Sequence, residues 1–437
     1  MRFEFLSRQD PILRPYLSCL LSLLLYSILI AFLFVKWVVP VYGYSGFTFA
    51  VNCVNIFLSM VYIGIISYFI TIQVDGVKTF FSFMLILQVI IPMFCLYSFT
   101  EEFMSYNIYI SISVVCFIVI SLTDSINIDL INNFSNVTFS RLFLPFMTII
   151  TCLTLARYIM LNGLGVFNLD ITKVYDYRLL LRETMVGGFA YLDAWTVKVI
   201  NPFCVVYSLY RRKKFLLIFF VTLQVVLFGF SSHKSVLFSA FVLVVFYYIT
   251  PLLTKKKCAV VWCFILANLF PLCLYFKDIT GIWCGLFKRL FITPATLNFH
   301  YYDYCTVNGF LWFRGSFLRH FIPPKYNINF ANIIGLEYSG NIENHANTGF
   351  LGAGYAQGGF LVLIIYSVII GVLISFIASL SKKIPSGLAV GITILPMSSL
   401  FTSGDLPSSL LTGGLLIALL LLYILSRDPT ISSLDNR

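Results

Sequence analysis

Two arginines, Arg178 and Arg182, stand four residues apart in the stretch 170–183 and share one helix face. Like charges at that spacing are mildly destabilising on their own. Arg carries a planar fork of donors that matches phosphate oxygens two at a time. The pair therefore suggests an anion clamp, against the plainer reading of two interfacial anchors reaching into lipid headgroups. Asp170 or Thr172 would cap that helix. Further along, Arg289, Thr293, Thr296, His300 and Asp303 recur at i, i+4, i+7, i+11 and i+14, a polar stripe on an otherwise apolar and aromatic helix that Pro294 would kink. Such a stripe either meets water at an interface or lines a wet cavity where acid–base chemistry can occur. A third group, Glu343, Asn344, His345 and Asn347, precedes Gly349, Gly352, Gly354, Gly358 and Gly359. It reads either as a helix cap with small-residue packing or as a sugar-binding, acid–base cluster.

The chain has 4 histidines, but none stand in HxxxH or HExxH spacing, so no metal is expected. There is no P-loop, no GxGxxG after a strand, no GxSxG and no DxD-type motif, and no cofactor is expected. The 11 cysteines form no CxxC pair. Most behave as small apolar residues inside hydrophobic runs. Cys284 and Cys305 fall in a long loop, where sequence cannot fix their separation.

Elements that position these residues follow from composition. Of 437 residues, 59% are hydrophobic and 11% charged, with mean hydropathy +0.93. That excludes an ordinary soluble enzyme and a disordered chain. Apolar runs long enough to cross a bilayer recur near 16–39, 45–73, 79–99, 106–122, 143–160, 188–210, 215–230, 236–253, 259–276, 360–380, 388–401 and 410–425. This predicts an all-α, polytopic integral membrane protein with about 12 spans, a single membrane domain over 1–437. The net charge of +11 is mostly topology rather than a nucleic-acid signal. Arg211–Lys214, Lys255–Lys257 and Lys382–Lys383 would all face one side with the basic N-terminus. By the positive-inside rule that side is cytoplasmic, as are both termini. The loops at about 161–187 and 277–359 then face outward. The second is aromatic-rich and is expected to be ordered, partly helical and packed on the membrane surface. Lys198, at membrane depth, should turn inward and pair with Asp193.

At these residues the chain resembles the Wzy-type O-antigen polymerases, the oligosaccharide repeat unit polymerases related to O-antigen ligases. The resemblance rests on the span layout, on 175–182, 232–235, 289–303 and the Asn-x-x-Asn-Thr-Gly stretch leading into a helix. It implies a GT-C-like fold in the bacterial inner membrane. It also implies a metal-independent glycosyltransferase that joins undecaprenyl-pyrophosphate-linked oligosaccharides at the periplasmic face. Membrane lipids are then partners, a chain-length regulator is a candidate partner, and nucleic acid is not one. Carried onto this sequence, Arg178, Arg182 and Arg289 would hold the lipid pyrophosphate. The candidate bases for the acceptor hydroxyl are Glu343, His345, His300 and Asp303, in that order; the ligases use an outer-loop histidine at a place similar to His345. An O-antigen ligase or other lipid-linked-donor glycosyltransferase is the alternative, and a polysaccharide flippase or transporter the second.

Overall fold

The computed structural model describes residues 12–74, 76–123, 139–162, 164–170, 173–174, 177, 189–275, 280–314, 321–428 and 431. Among them every named element is helical, and β pairing is limited to an isolated bridge between Phe49 and Thr100. Among the described residues seven helices are long and apolar enough to cross a membrane: Leu13–Ser45, Cys53–Thr71, Val77–Phe99, Phe143–Leu161, Lys214–Ser231, Lys234–Leu253 and Phe350–Leu380. Shorter apolar helices lie at Asn107–Leu122, Ala259–Phe270, Ser386–Thr402 and Leu415–Leu425. The first helix illustrates the solvent it is made for. Cys19, Leu23, Tyr26 and Ile30 are fully buried, while Leu17, Leu21, Leu25 and Ile28 form an exposed apolar stripe. In water that stripe would be unfavourable; against lipid tails it costs nothing.

The chain divides into two units. The first comprises Met1–Ile126, Leu252–Ser375 and Leu400–Pro407, the second Asn127–Pro251, Phe376–Ser399 and Ser408–Arg437. At the centre of the first unit runs Val77–Phe99, apolar on all sides and almost wholly buried. Leu13–Leu33, Cys53–Thr71, Asn107–Leu122, Ala259–Tyr275 and the helical run 280–308 pack around it.

Four π-helical segments among the described residues share one cause. Phe34–Val38, Ile86–Ile90, Thr196–Ile200 and Lys288–Ile292 are each followed two residues later by a proline, at Pro40, Pro92, Pro202 and Pro294. Proline has no N–H to donate, and its ring crowds the carbonyl one turn back. Widening the turn to i→i+5 relieves the crowding without breaking the helix. The expected kink at Pro294 is therefore a bulge in a continuous helix. A carbonyl five residues before such a proline still lacks its donor. In the first unit the Tyr26 hydroxyl donates to Leu87 O at 3.0 Å. In the second unit Gln224 Nε2 donates to Val197 O at 3.1 Å.

Polar zippers hold the second unit together. Thr154 meets Thr196 at 3.1 Å, and one turn further Arg157 donates to Asp193. The expected Lys198–Asp193 pair is thus replaced by Arg157–Asp193, because the neighbouring helix puts Arg157 opposite Asp193, and Lys198 is exposed. Gln224 also donates to Ser239 Oγ at 2.9 Å and accepts from Asn201 Nδ2 at 2.5 Å.

Candidate functional site

The site belongs to the first unit and is assembled from three elements. Thr293–Asn308 carries His300 and Asp303, three residues apart on one face. The short 3₁₀ turn Glu101–Phe103, at the end of the central helix, delivers Glu102. Phe330–Ser339 delivers Tyr338. That helix starts where Asn329 accepts from the Ala331 N–H and stops at Gly340, whose φ of 68° suits glycine.

Phe330 packs the Tyr338 helix against Tyr301 and Tyr304, at 5.3 and 5.6 Å, and the Glu102 turn is fastened by Phe299. Fully buried, it stacks on Phe103 at 4.8 Å and meets Tyr106 and Tyr109 at 5.7 and 6.0 Å. Burying such a ring contributes about 1.5–3 kcal/mol. Asn298, next to it, accepts from Thr348 Oγ1 at 3.0 Å and from the Gly352 N–H at 2.8 Å. The hydroxyl of Tyr301 donates to Ala346 O at 3.0 Å. The Asn-x-x-Asn-Thr-Gly stretch is thereby joined to the His300 helix. Gly349 is small for a packing reason: a Cβ there would stand 1.9 Å from the Phe401 carbonyl oxygen.

On this frame the chemical groups converge. The His300 ring lies flat on Tyr338, centroids 3.9 Å apart and planes 18° apart. Tyr338 Oη donates to Asp303 Oδ2 at 2.7 Å. His300 Nδ1 is 3.8 Å from Glu102 Oε1. Burial lowers the His300 pKa to about 4, outweighing the pull of Asp303 in the other direction. The imidazole is therefore neutral at pH 7, and its contact with Glu102 is not an ion pair. Burial first, then the charge of Asp303, raises Glu102 from its ordinary value. Burial and Asp303 likewise raise Tyr106 and Tyr338, so both hydroxyls keep their protons and remain donors. Among the described residues no Lys or Arg pairs with Glu102 or Asp303. Two carboxylates and a neutral imidazole beside tyrosine rings can accept a proton from a hydroxyl and can bind a polyol.

The site has a definite place in the unit. Lys257 Nζ donates to the carbonyl of Gln73 at 2.6 Å, close to where the central helix begins. Glu102 lies just past that helix's other end. Its 23 residues rise about 34 Å at 1.5 Å each, roughly the hydrocarbon thickness of a bilayer.

The expected residues are only partly gathered. His300 and Asp303 come together with Glu102. The stripe running back to Arg289 does not persist as one face, since the bulge at Lys288–Ile292 rotates what precedes it. Arg289 is exposed, about 16 Å along the helix from His300. Thr296 is buried and donates to the Ile292 carbonyl at 2.9 Å. Glu343 and His345 are exposed on the loop after Gly340, where the Glu343 N–H is held by Asn341 Oδ1 at 2.8 Å. Arg178 and Arg182 lie outside the described residues. Cys284 and Cys305 are buried free thiols. Glu102 and Tyr338 were not legible as site residues; the one signal for Glu102 in the sequence is the acidic pair Glu101-Glu102 between two apolar runs. No family model, curated protein or solved structure matches the chain.

Proposed function

We propose that this protein is a GT-C-like membrane glycosyltransferase of about 12 spans. It joins undecaprenyl-pyrophosphate-linked oligosaccharide repeat units at the periplasmic face of the bacterial inner membrane, as an O-antigen-type polymerase. The observation that carries this reading is the cluster of Asp303, Glu102, His300 and Tyr338, a bilayer's thickness from Lys257 along the central helix. With Lys257 in a cytoplasmic loop by the positive-inside rule, the cluster faces the periplasm. Lipid-linked glycans present their sugars there, and no nucleotide donor is at hand.

In this mechanism a carboxylate of the cluster takes the proton from the acceptor's non-reducing-end hydroxyl. Asp303, fixed by Tyr338, is the first choice, with Glu102 beside it. The hydroxyl oxygen attacks the anomeric carbon of the donor glycan, and the C–O bond to pyrophosphate breaks. Arginines stabilise the charge that develops on the leaving group. Arg289 suits that role if the donor lies lengthwise along the helix, with its pyrophosphate toward Arg289 and its sugar toward His300. Arg178 and Arg182 remain candidates for the same anion.

Deleting the gene tests the reading. Cells should keep single-repeat glycan and lose long chains, and the wild-type gene should restore them. Loss of all glycan from the final acceptor indicates a ligase instead. Unchanged polysaccharide overturns both. Reporters fused near Lys256 and Asn327 should report the cytoplasm and the periplasm respectively; a periplasmic Lys256 overturns the orientation.

A further inference from the structure

A strained turn beside the site displays a tryptophan. Trp312 and Phe313 both have positive φ, 52° and 61°. A non-glycine residue in that region is strained, and such strain persists where the surroundings over-determine it. Those surroundings are a broken helix. Within Phe350–Leu380, Gly358 and Gly359 leave helical geometry, and Gly359 has φ 66°. The break leaves carbonyls without helical donors. The Leu311 N–H donates to Ala356 O and the Trp312 N–H to Gln357 O, both at 2.8 Å. Gln357 Oε1 accepts from the Phe313 N–H at 2.9 Å, while its Nε2 donates to Asp405 Oδ2 at 2.9 Å. On the other side of the turn Lys325 Nζ donates to Asn308 O and Gly309 O, at 2.5 and 2.8 Å. The turn is fixed from both flanks, yet the tryptophan is left 51% exposed.

The exposed indole is not isolated. Rings continue from it toward the acid cluster: Trp312 to Phe310 at 6.0 Å, Phe310 to Tyr355 at 5.5 Å, Tyr355 to Tyr302 at 4.8 Å and Tyr302 to Tyr106 at 5.4 Å. Tyr106 neighbours Asp303. Tyr302, Tyr106 and Phe310 are partly exposed, with Tyr109 and Tyr355 buried behind them. Hydroxyls accompany the rings, as where Tyr355 Oη meets Thr306 Oγ1 at 3.0 Å. A sugar has an apolar C–H face and a rim of hydroxyls, and this row offers a partner for each. A lipid tail would leave the hydroxyls of Tyr302, Tyr106 and Thr306 along this row without use.

We propose that Trp312, with Phe310 and Tyr302, forms an oligosaccharide-binding subsite that holds the glycan chain several sugars away from the reacting end. This rests on the polymerase reading and adds a specificity element to it. A chain held only at its end dissociates after few additions; one held also at Trp312 stays and grows.

The test uses the full-length protein, in cells and in lipid nanodiscs. The binding probe is the oligosaccharide freed by mild acid from the cells' own lipid-linked glycan. Trp312→Ala should weaken that probe on the order of tenfold and shorten the polymer, while repeat units are still joined. Trp312→Tyr, which keeps a ring, should retain most of the length. In the wild type the probe should change tryptophan fluorescence, and in Trp312→Phe that change should vanish. Wild-type polymer length and probe affinity in Trp312→Ala overturn the subsite. So does a fall in membrane accumulation with normal activity per molecule, which is the mark of a lipid anchor. A gene deletion that leaves the polysaccharide unchanged defeats the polymerase reading itself, whatever the Trp312 variants do.

Discussion

In the second unit Arg157 meets Asp193, with the Asn201–Gln224–Ser239 network on the same stretch of helix. In the first unit Glu102 and Asp303 sit with a neutral imidazole and two protonated tyrosines, with no Lys or Arg among the described residues to offset them. The first arrangement matches charge with charge. It serves packing and would lose little if both partners became apolar. The second leaves acidic oxygens without a cationic partner and, at Glu102, open to solvent, an arrangement suited to binding or reacting with something else. Polarity in a membrane protein is thus informative by how completely the protein itself satisfies it.

The largest expected effect would break that comparison at its functional end. Asp303→Asn keeps the hydrogen bond from Tyr338 within reach and removes the base. Polymer formation in nanodiscs should fall by about 10²–10⁴-fold, with normal protein accumulation. Near-wild-type rates would move the base to Glu102.

Next in size is the pair in the second unit. Arg157→Met alone strands a buried carboxylate and should destabilise the fold by about 3–5 kcal/mol, read as lost accumulation and a lower Tm in detergent. Adding Asp193→Leu should recover most of it. A double variant that stays unstable would show that the pair does more than balance charge.

His300 supplies a pH signature. Its pKa is lowered from 6.5 to about 4 in the folded state. Between those values the unfolded chain binds a proton that the folded chain excludes. Stability is therefore complete above about pH 6.5 and falls as the pH drops toward 4, by about 3 kcal/mol from this group. His300→Phe should flatten the Tm-against-pH curve over that window. An unchanged slope would mean that the imidazole is accessible enough to charge.

The smallest effect concerns the frame. Thr348→Val removes the hydroxyl that donates to Asn298 Oδ1. It should cost about 1 kcal/mol and leave turnover per folded molecule unchanged. A selective loss of turnover would move Thr348 from the frame into the site.

Helix positions were largely legible, because lipid demands long apolar runs and their lengths are set by the bilayer. His300 and Asp303 were legible as neighbours, because three residues on one helix lie on one face. Arg289 was grouped with them on the assumption of an unbroken 3.6 period. The bulge before Pro294 removes that assumption, although the proline itself is visible in the sequence. Glu102 and Tyr338 were hidden for another reason. They stand far from Asp303 along the chain, and only packing brings their elements together: Phe299 against Phe103 for Glu102, and Phe330 against Tyr301 for Tyr338. The Arg157–Asp193 pair was hidden likewise, since the depth of one helix against another is a property of both.

The Asn298 amide also sets a timetable for biogenesis. Its carbonyl oxygen accepts from Gly352, 54 residues later in the chain. At roughly 5–20 residues per second, the ribosome delivers that partner about 3–11 s after Asn298 itself. Gly349 in turn waits for the Phe401 carbonyl against which it packs. The 280–308 helix therefore spends its first seconds beside a finished central helix but without its later neighbours. Its seat is completed only when Ala346, Thr348 and Gly352 arrive, so truncation before Ala346 should leave this helix accessible to proteases even though the earlier spans are in place.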